Sequence, residues 1–261
     1  MKVVVCFKSV YDDASIRVNS ADKTLDYTAV PHVVSLYDLN AIEVAARFAE
    51  SSKEHTLVAL TAGDTKIHDT TMRKDVAARG ASEVYLVMDD ALYEAETYQT
   101  AAALAAAIKK IGGVDLIICG DGSADVYAHQ VGIQLGEILG IPNVNAVCDF
   151  SADGDTITVK RELDEIVETL SMKTPCVLSC LSDMAQPRVC NVMQIMTAGK
   201  KPVHEWSLAD LGIDDLQKRY ELGTTVLPAP SPRKLEFYEN TPEGIEQFVE
   251  KLHTYLMTEG A

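Results

Sequence analysis

Four short runs rich in valine, isoleucine and leucine, at residues 2–7, 56–60, 83–87 and 115–119, are separated by segments with helical spacing. Strand and helix signals that alternate in this way favour a parallel sheet covered on both faces, because parallel neighbours need a long crossover. One helical face is Ile42, Ala45, Ala46 and Ala49. A second is marked by Met72 and Val76 and ended at Gly80; a third by Leu104, Ile108 and Ile111, ended at Gly112-Gly113. Strand ends and the loops after them then gather along one edge, where open α/β sheets bind ligands.

The fourth run leads into Cys119-Gly120-Asp121-Gly122-Ser123-Ala124-Asp125 and then a helix whose face is Val131, Leu135, Ile138 and Leu139. Gly140 and Pro142 stop that helix. Asp125 stands where an N-cap is expected, which puts Tyr127, Ala128, His129, Gln130 and Val131 in the first turns with unpaired N–H groups. Such amides, with the positive end of the helix dipole, make a place to hold a phosphate. The loop has neither the lysine of a P-loop nor the three-glycine dinucleotide fingerprint. A Gly-x-Gly turn alone also serves as a plain strand-to-helix connection. Asp121 and Asp125 would repel a phosphate, so backbone N–H groups and the Ser123 hydroxyl are the expected contacts.

After Pro142 the pattern changes. Residues 156–161 alternate like a half-exposed strand, residues 168–172 read as its partner with a turn near 164–166, and residues 175–179 form another buried strand. Together they suggest an antiparallel addition to the sheet. Beyond Pro187 the chain is broken by Pro202, Pro228, Pro230 and Pro232. A last helix is predicted with Thr241 as N-cap, Pro242 first, and Ile245, Phe248, Val249, Leu252 and Leu256 on its apolar face. That face must be buried on its own domain or on another subunit.

The net charge of −16 argues against nucleic acid and anionic membrane partners, which call for basic patches. No apolar run approaches the ~20 residues that span a bilayer. The chain starts on a strand, so the expected location is cytoplasmic, with six reduced cysteines, none in a C-x-x-C pair and none at zinc-ligand spacing. No Gly-x-Ser-x-Gly elbow and no nucleophile–His–acid motif is present, so no catalytic residue is assigned. The stretch Val192-Met193-Gln194-Ile195-Met196, followed by Lys200 and Lys201, suits either a docking surface or a buried helical turn.

Several segments taken together resemble the beta (small) subunit of electron transfer flavoproteins, most closely its FixA-type branch. They are Tyr37-Asp38-Leu39-Asn40-Ala41-Ile42-Glu43, Arg73-Lys74-Asp75-Val76, the stretch from Gly120 to Gly132, and Val159-Lys160-Arg161-Glu162-Leu163-Asp164 continuing through Glu168-Thr169-Leu170 to Pro175-Cys176-Val177-Leu178. Lys200-Lys201-Pro202-Val203 with Trp206 also fits. Two departures stand out: Glu165 and Ile166 replace the usual glycine pair, and Asp121-Gly122-Ser123 replaces the usual Lys/Arg-Gln-Ala.

The resemblance implies an α/β fold: an adenine-nucleotide α-hydrolase-like (Rossmann-like) parallel sheet sandwich over 1–186, with the antiparallel addition. It also implies a partner-docking loop over 187–203 and a C-terminal arm and helix over 204–261 that contact an alpha subunit. Carried over by position, the cofactor pocket is Cys6, Lys8, Ser35, Asp38, Ala62, Gly63, Gly120, Asp121, Gly122, Ser123, Asp125, Ala128, His129, Gln130 and Val131. The docking residues are Arg188, Val192, Met193, Ile195 and Met196, with Val192 where the family usually has its anchoring leucine. The implied protein is a heterodimer with the alpha subunit, carrying electrons between an acyl-CoA dehydrogenase-type flavoprotein and another carrier. Simple members hold AMP in this subunit and FAD in the alpha subunit. Electron-bifurcating members hold FAD here as well and deal with NADH and ferredoxin or flavodoxin. FAD is expected here, because Gly122 and Ser123 are smaller than the usual residues. Two rival readings share the fold: a universal-stress-type ATP-binding regulator, and an adenylating ligase. The ligase would need Ser-Gly-Gly-x-Asp-Ser where this chain has Lys8-Ser9-Val10-Tyr11-Asp12-Asp13.

Overall fold

The computed structural model describes residues 1–219, 223, 225, 227–229 and 235–258. In chain order the elements are β1 (Lys2–Cys6), β2 (Ser9–Tyr11), β3 (Arg17–Val18), β4 (Leu25–Asp26), β5 (His32–Val34), α1 (Leu36–Glu50), β6 (Thr56–Gly63), α2 (Thr70–Ala78) and β7 (Glu83–Met88). They continue with α3 (Thr97–Ile111), β8 (Leu116–Gly120), α4 (Val131–Leu139), β9 (Asn143–Asp153), β10 (Thr156–Leu163), β11 (Ile166–Lys173), β12 (Cys176–Cys180), α5 (Val192–Ala198), β13 (Val203–Trp206) and α6 (Pro242–Thr258). The chain divides into two units, Met1–Thr225 and Val226–Ala261.

A nine-stranded sheet runs in the order β11-β10-β9-β12-β8-β1-β6-β7-β13. From β9 across to β13 every neighbouring pair is parallel. The pleat sends alternate side chains to opposite faces. Val3, Val5, Leu57, Ala59, Leu116 and Ile118 pack under Ile42 and Ala45 of α1 and Val76 of α2. Val4, Val58, Leu60 and Ile117 pack under Leu104 and Ile108 of α3 and Leu135 of α4. Both faces of the central strands are thus dry, which is why these strands read as unbroken apolar runs.

The antiparallel addition is smaller than expected. Within the nine-stranded sheet only β10 and β11 join it antiparallel. The run 175–179 becomes β12 (Cys176–Cys180), which lies inside the parallel region between β8 and β9. A fully buried apolar run carries no record of its direction, so the sequence pattern does not distinguish the two placements. Strand β9 was not anticipated: polar Asn143, Asn145 and Asp149 interrupt its alternation, and most of its residues are only half-buried. Strand β13, also unanticipated, closes the far edge on β7. There Trp206 packs on Tyr85, with ring centroids 5.1 Å apart, and under the Lys110 ammonium at 4.7 Å.

Helix α4 sits unusually close to the sheet. A methyl group added at Gly132 would lie 2.1 Å from Ser179 Oγ, and one at Gly136 would lie 2.6 Å from Asn143 Cβ. The left-handed Gly140, φ 68°, ends the helix. On the other face, Lys201 Nζ donates to the carbonyls of Ala77 and Ala81 at 2.8 and 2.7 Å, satisfying the end of α2.

In the second unit, the Thr241 hydroxyl accepts from the Gly244 N–H at 3.1 Å, and Pro242 occupies the first position of α6. Ile245, Phe248, Val249, Leu252 and Leu256 are all exposed. Of the prolines read as chain breakers in this region, Pro230 and Pro232 lie outside the described residues. Among the described residues no helix is long and apolar enough to cross a membrane.

Candidate functional site

Strand β1 is where the sheet reverses its winding. The chain moves from β1 through β6 to β7 on one side, then returns along α3 to place β8 on the other side of β1. The carboxyl ends of β1 and β8 therefore feed loops that part in opposite directions, which opens a crevice. A cleft of about 160 Å³ lies there. Twelve of the fifteen expected cofactor residues line it: Cys6, Lys8, Asp38, Ala62, Gly120, Asp121, Gly122, Ser123, Ala128, His129, Gln130 and Val131.

The other three do not line it but bond to neighbouring segments. Ser35, fully buried, accepts from the Ala124 N–H through its Oγ at 3.2 Å. Gly63 ends β6, where its carbonyl accepts from the Asp89 N–H at 3.1 Å. Asp125 ion-pairs with Lys8 Nζ at 2.6 Å. Val126 of the expected loop also lines the cleft, and residues not anticipated complete it: Phe7, Ala95, Thr97, Thr100, Leu104, Cys119 and Gly132. Thr97, Thr100 and Leu104 are spaced three and four apart on α3, so one helix face carries two hydroxyls and an apolar group to the cleft. That spacing is the available signal; from the sequence Leu104 reads as a core residue alone.

Asp38 joins the two strand ends. Its Oδ2 accepts from the Lys8 N–H at 2.8 Å. Its other oxygen lies only 2.6 Å from where a side chain at Gly120 would begin, so the backbone of β8 approaches the carboxylate closely. Burial pushes the Asp38 carboxyl up to about 7, against the opposing pull of the Lys8 and Gly120 N–H groups. Burial also works against charge on Asp125, but Lys8, the Ser123 hydroxyl and the Val126 N–H outweigh it and hold this carboxyl below its ordinary value. Cys6 and Cys119 extend neighbouring strands side by side. Their hydrogen bond, followed by burial, pushes the Cys6 thiol well above its ordinary range.

The loop from Asp121 to Gln130 corrects the expected helix start. Helix α4 begins at Val131, with Gln130 as its N-cap residue; Tyr127, Ala128 and His129 are not helical, and Asp125 caps nothing. Tyr127 and His129 take left-handed backbone angles, φ 50° and 55°, which a right-handed helix forbids. Long-range contacts impose this shape. The Tyr127 ring fills the space above Gly122, where an added methyl would meet it at 2.2 Å, and packs 4.8 Å from the Tyr37 ring. Asp121, nearly buried, accepts from the Ala146 N–H at 3.0 Å and holds His129 Nδ1 at 2.6 Å. Gln130 Oε1 accepts from the Thr97 hydroxyl at 2.9 Å. The amides without intrahelical partners at this helix end are thus those of Val131, Gly132 and Ile133.

The family model for the electron transfer flavoprotein domain matches residues 23–211. The chain belongs to the electron transfer flavoprotein family. The domain so matched takes in α1, both helical layers and the loop from Asp121 to Gln130. Among the described residues, no group of three or more His, Cys, Asp or Glu side chains is placed to hold a metal ion.

The expected docking residues separate into two kinds. Val192, Met193, Ile195 and Met196 are exposed along α5, beside Val189, which is 95% exposed. Arg188 instead turns inward. Its guanidinium bonds Glu43 at 2.7 Å and Glu50 at 2.5 Å, and its carbonyl accepts from Arg79 Nη1 at 2.6 Å. Hydrogen bonds to Glu50 and then Glu43 push its pKa still higher.

Proposed function

We propose that this chain is the beta subunit of a heterodimeric electron transfer flavoprotein of the FixA-type branch, and that an adenine nucleotide occupies the cleft between β1 and β8. The observation that carries this reading is that the first residues of α4, Val131 and Gly132, whose amides have no intrahelical partner, line a partly apolar slot at the switch point of the sheet. The residues suit such a ligand. Phe7, Ala62, Ala95 and Leu104 offer apolar surface for an adenine ring. Thr97 and Thr100 offer hydroxyls, and the helix end offers N–H groups to phosphate. The carboxylates do not oppose it, since Asp38, Asp121 and Asp125 are each turned onto partners of their own.

In this reading the nucleotide is FAD, with its adenosine diphosphate portion in the cleft. A bound flavin would supply the electron-carrying chemistry. The chain's own residues bind, orient and shield. Gly122 does not leave room for the larger ligand as expected, because the Tyr127 ring fills the space above it. That observation favours a second reading, in which AMP occupies the cleft and the alpha subunit holds the only flavin. The exposed apolar faces of α5 and α6 are assigned to an acyl-CoA dehydrogenase-type partner and to the alpha subunit, respectively. NADH and ferredoxin or flavodoxin are the further partners if the complex bifurcates electrons.

Co-expression with a neighbouring alpha-type chain, followed by acid release and quantification of bound nucleotide, tests this. Two FAD per heterodimer and no AMP is the expected result. One FAD with one AMP selects the second reading. A colourless homodimer that releases ATP would sink both and favour a universal-stress-type regulator.

A further inference from the structure

Cys6 is the last residue of β1, and Cys119 is the last but one of β8. These strands pair in parallel register as far as Val5 and Ile118, so the two cysteines are the next residues across from each other. The pleat turns both to the face covered by α3 and α4, where they join the apolar layer of Val4 and Ile117. Their thiols are hydrogen-bonded to each other. Both line the cleft, and the other four cysteines do not. Cys180, on the strand beyond β8, packs on the opposite face of the sheet and does not compete for either sulfur.

We propose that Cys6 and Cys119 are an oxidation site, a thiol pair that a small peroxide entering the cleft converts to a reversible disulfide. Cys119 is the attacking sulfur and Cys6 the resolving one. The Cys6 thiol keeps its proton, held by the hydrogen bond to Cys119 and then by burial, with charge on Cys119 and Asp38 acting in the same direction. The Cys119 thiol gives its proton to water, and its sulfur attacks hydrogen peroxide. The O–O bond breaks, Cys119 becomes a sulfenic acid, and the departing hydroxide takes up a proton. The Cys6 sulfur then attacks the Cys119 sulfur, the S–O bond breaks, and the hydroxide leaves with the Cys6 proton as water. Two thiols and one peroxide thus give one disulfide and two waters. A disulfide wants Cβ atoms about 3.8 Å apart, whereas paired strands lie about 4.8 Å apart. The closure needed is small, and it falls where β1 ends, beside a cavity. Both thiols are only 5% exposed, so the reaction is slow and answers sustained oxidant. The bond draws together the two strand ends that flank the cleft and narrows it.

The test treats the folded, unmodified full chain with hydrogen peroxide, blocks the remaining thiols by alkylation, and maps the peptides by mass spectrometry. A peptide linking Cys6 to Cys119 is expected, lighter by two hydrogens than its two halves and fully released by dithiothreitol. Oxidised glutathione, too bulky for a cleft of about 160 Å³, is expected to form the same link more slowly than peroxide. With dimedone present, Cys6→Ser is expected to trap the sulfenic acid as an adduct on Cys119, while Cys119→Ser leaves Cys6 unlabelled. Labelling of Cys6 alone would reverse the assigned order and overturn that part of the inference. A chain that oxidises at the half-buried Cys148 or Cys190 while Cys6 and Cys119 stay unlinked would overturn the whole. So would a link that appears only after urea has unfolded the chain, since the folded pair would then not be the reactive one. None of these outcomes depends on which ligand, if any, occupies the cleft.

Discussion

The two walls of the cleft are built differently. The wall at α1 is buried and tied into the sheet: Ser35 and Asp38 are almost wholly shielded, and Asp38 bonds the end of β1. The wall at α4 is a loop with two left-handed non-glycine residues, a 47%-exposed Tyr127 and bonds made mainly by side chains. One wall belongs to the folding unit; the other is shaped by contacts that a ligand can join. Strain concentrated in the second wall is the pattern expected of a ligand-facing segment.

The sharpest break of this comparison is at Asp38. Asp38→Ala removes the buried acceptor for the half-buried Lys8 and Gly120 N–H groups and is expected to cost about 3 kcal/mol in urea unfolding. The pH dependence has a definite sign. A carboxyl raised to about 7 in the folded protein, from about 4 when unfolded, keeps its proton in the native state, so its stabilisation declines as pH rises through that window. Between pH 5 and 7 the protein is expected to lose about 2 kcal/mol more stability than Asp38→Asn. Equal slopes for the two would place Asp38 outside the folding unit.

A second probe is Gly132→Ala, whose new methyl would meet Ser179 Oγ at 2.1 Å. About 2 kcal/mol of destabilisation is expected. Adding Ser179→Ala should recover most of it, since Ser179 Cβ lies at an ordinary 3.5 Å from that methyl. A double-mutant cycle that is simply additive would mean that α4 can shift at low cost.

Smaller effects belong to the exposed wall. Tyr127→Ala is expected to change global stability by less than about 1 kcal/mol, yet to speed hydrogen exchange across residues 121–130. Lys8→Ala breaks an ion pair whose partners are both about two-fifths exposed, so the loss should stay below about 1 kcal/mol and shrink in salt.

This division also explains what could be read from the sequence. The buried strands and helices of the first 140 residues are legible because their apolar spacing is local, and the Gly140 stop and the Thr241-Pro242 start follow from backbone chemistry. The cleft's position follows from strand order, and most of its expected lining is brought together. The start of α4 was misread because Asp125 has the identity of an N-cap, while its actual partner, Lys8, lies 117 residues away. The placement of β12 was misread because burial on both faces erases the alternation that separates strand types. Thr97 and Thr100 were missed because a threonine on a helix reveals a ligand-facing role only when the opposite wall is known.

Arg188 has a consequence of its own. It fastens the segment leading to α5 onto Glu43 and Glu50 of α1, the same helix whose first turn carries Asp38 into the cleft. That helix has fifteen residues, a rod of about 22 Å. For the docking role proposed for α5, the rod acts as a ruler. Were a redox protein to dock on α5 as proposed, the rod would set how far it halts from whatever is held at the sheet's mouth, and electron tunnelling is sensitive to that distance.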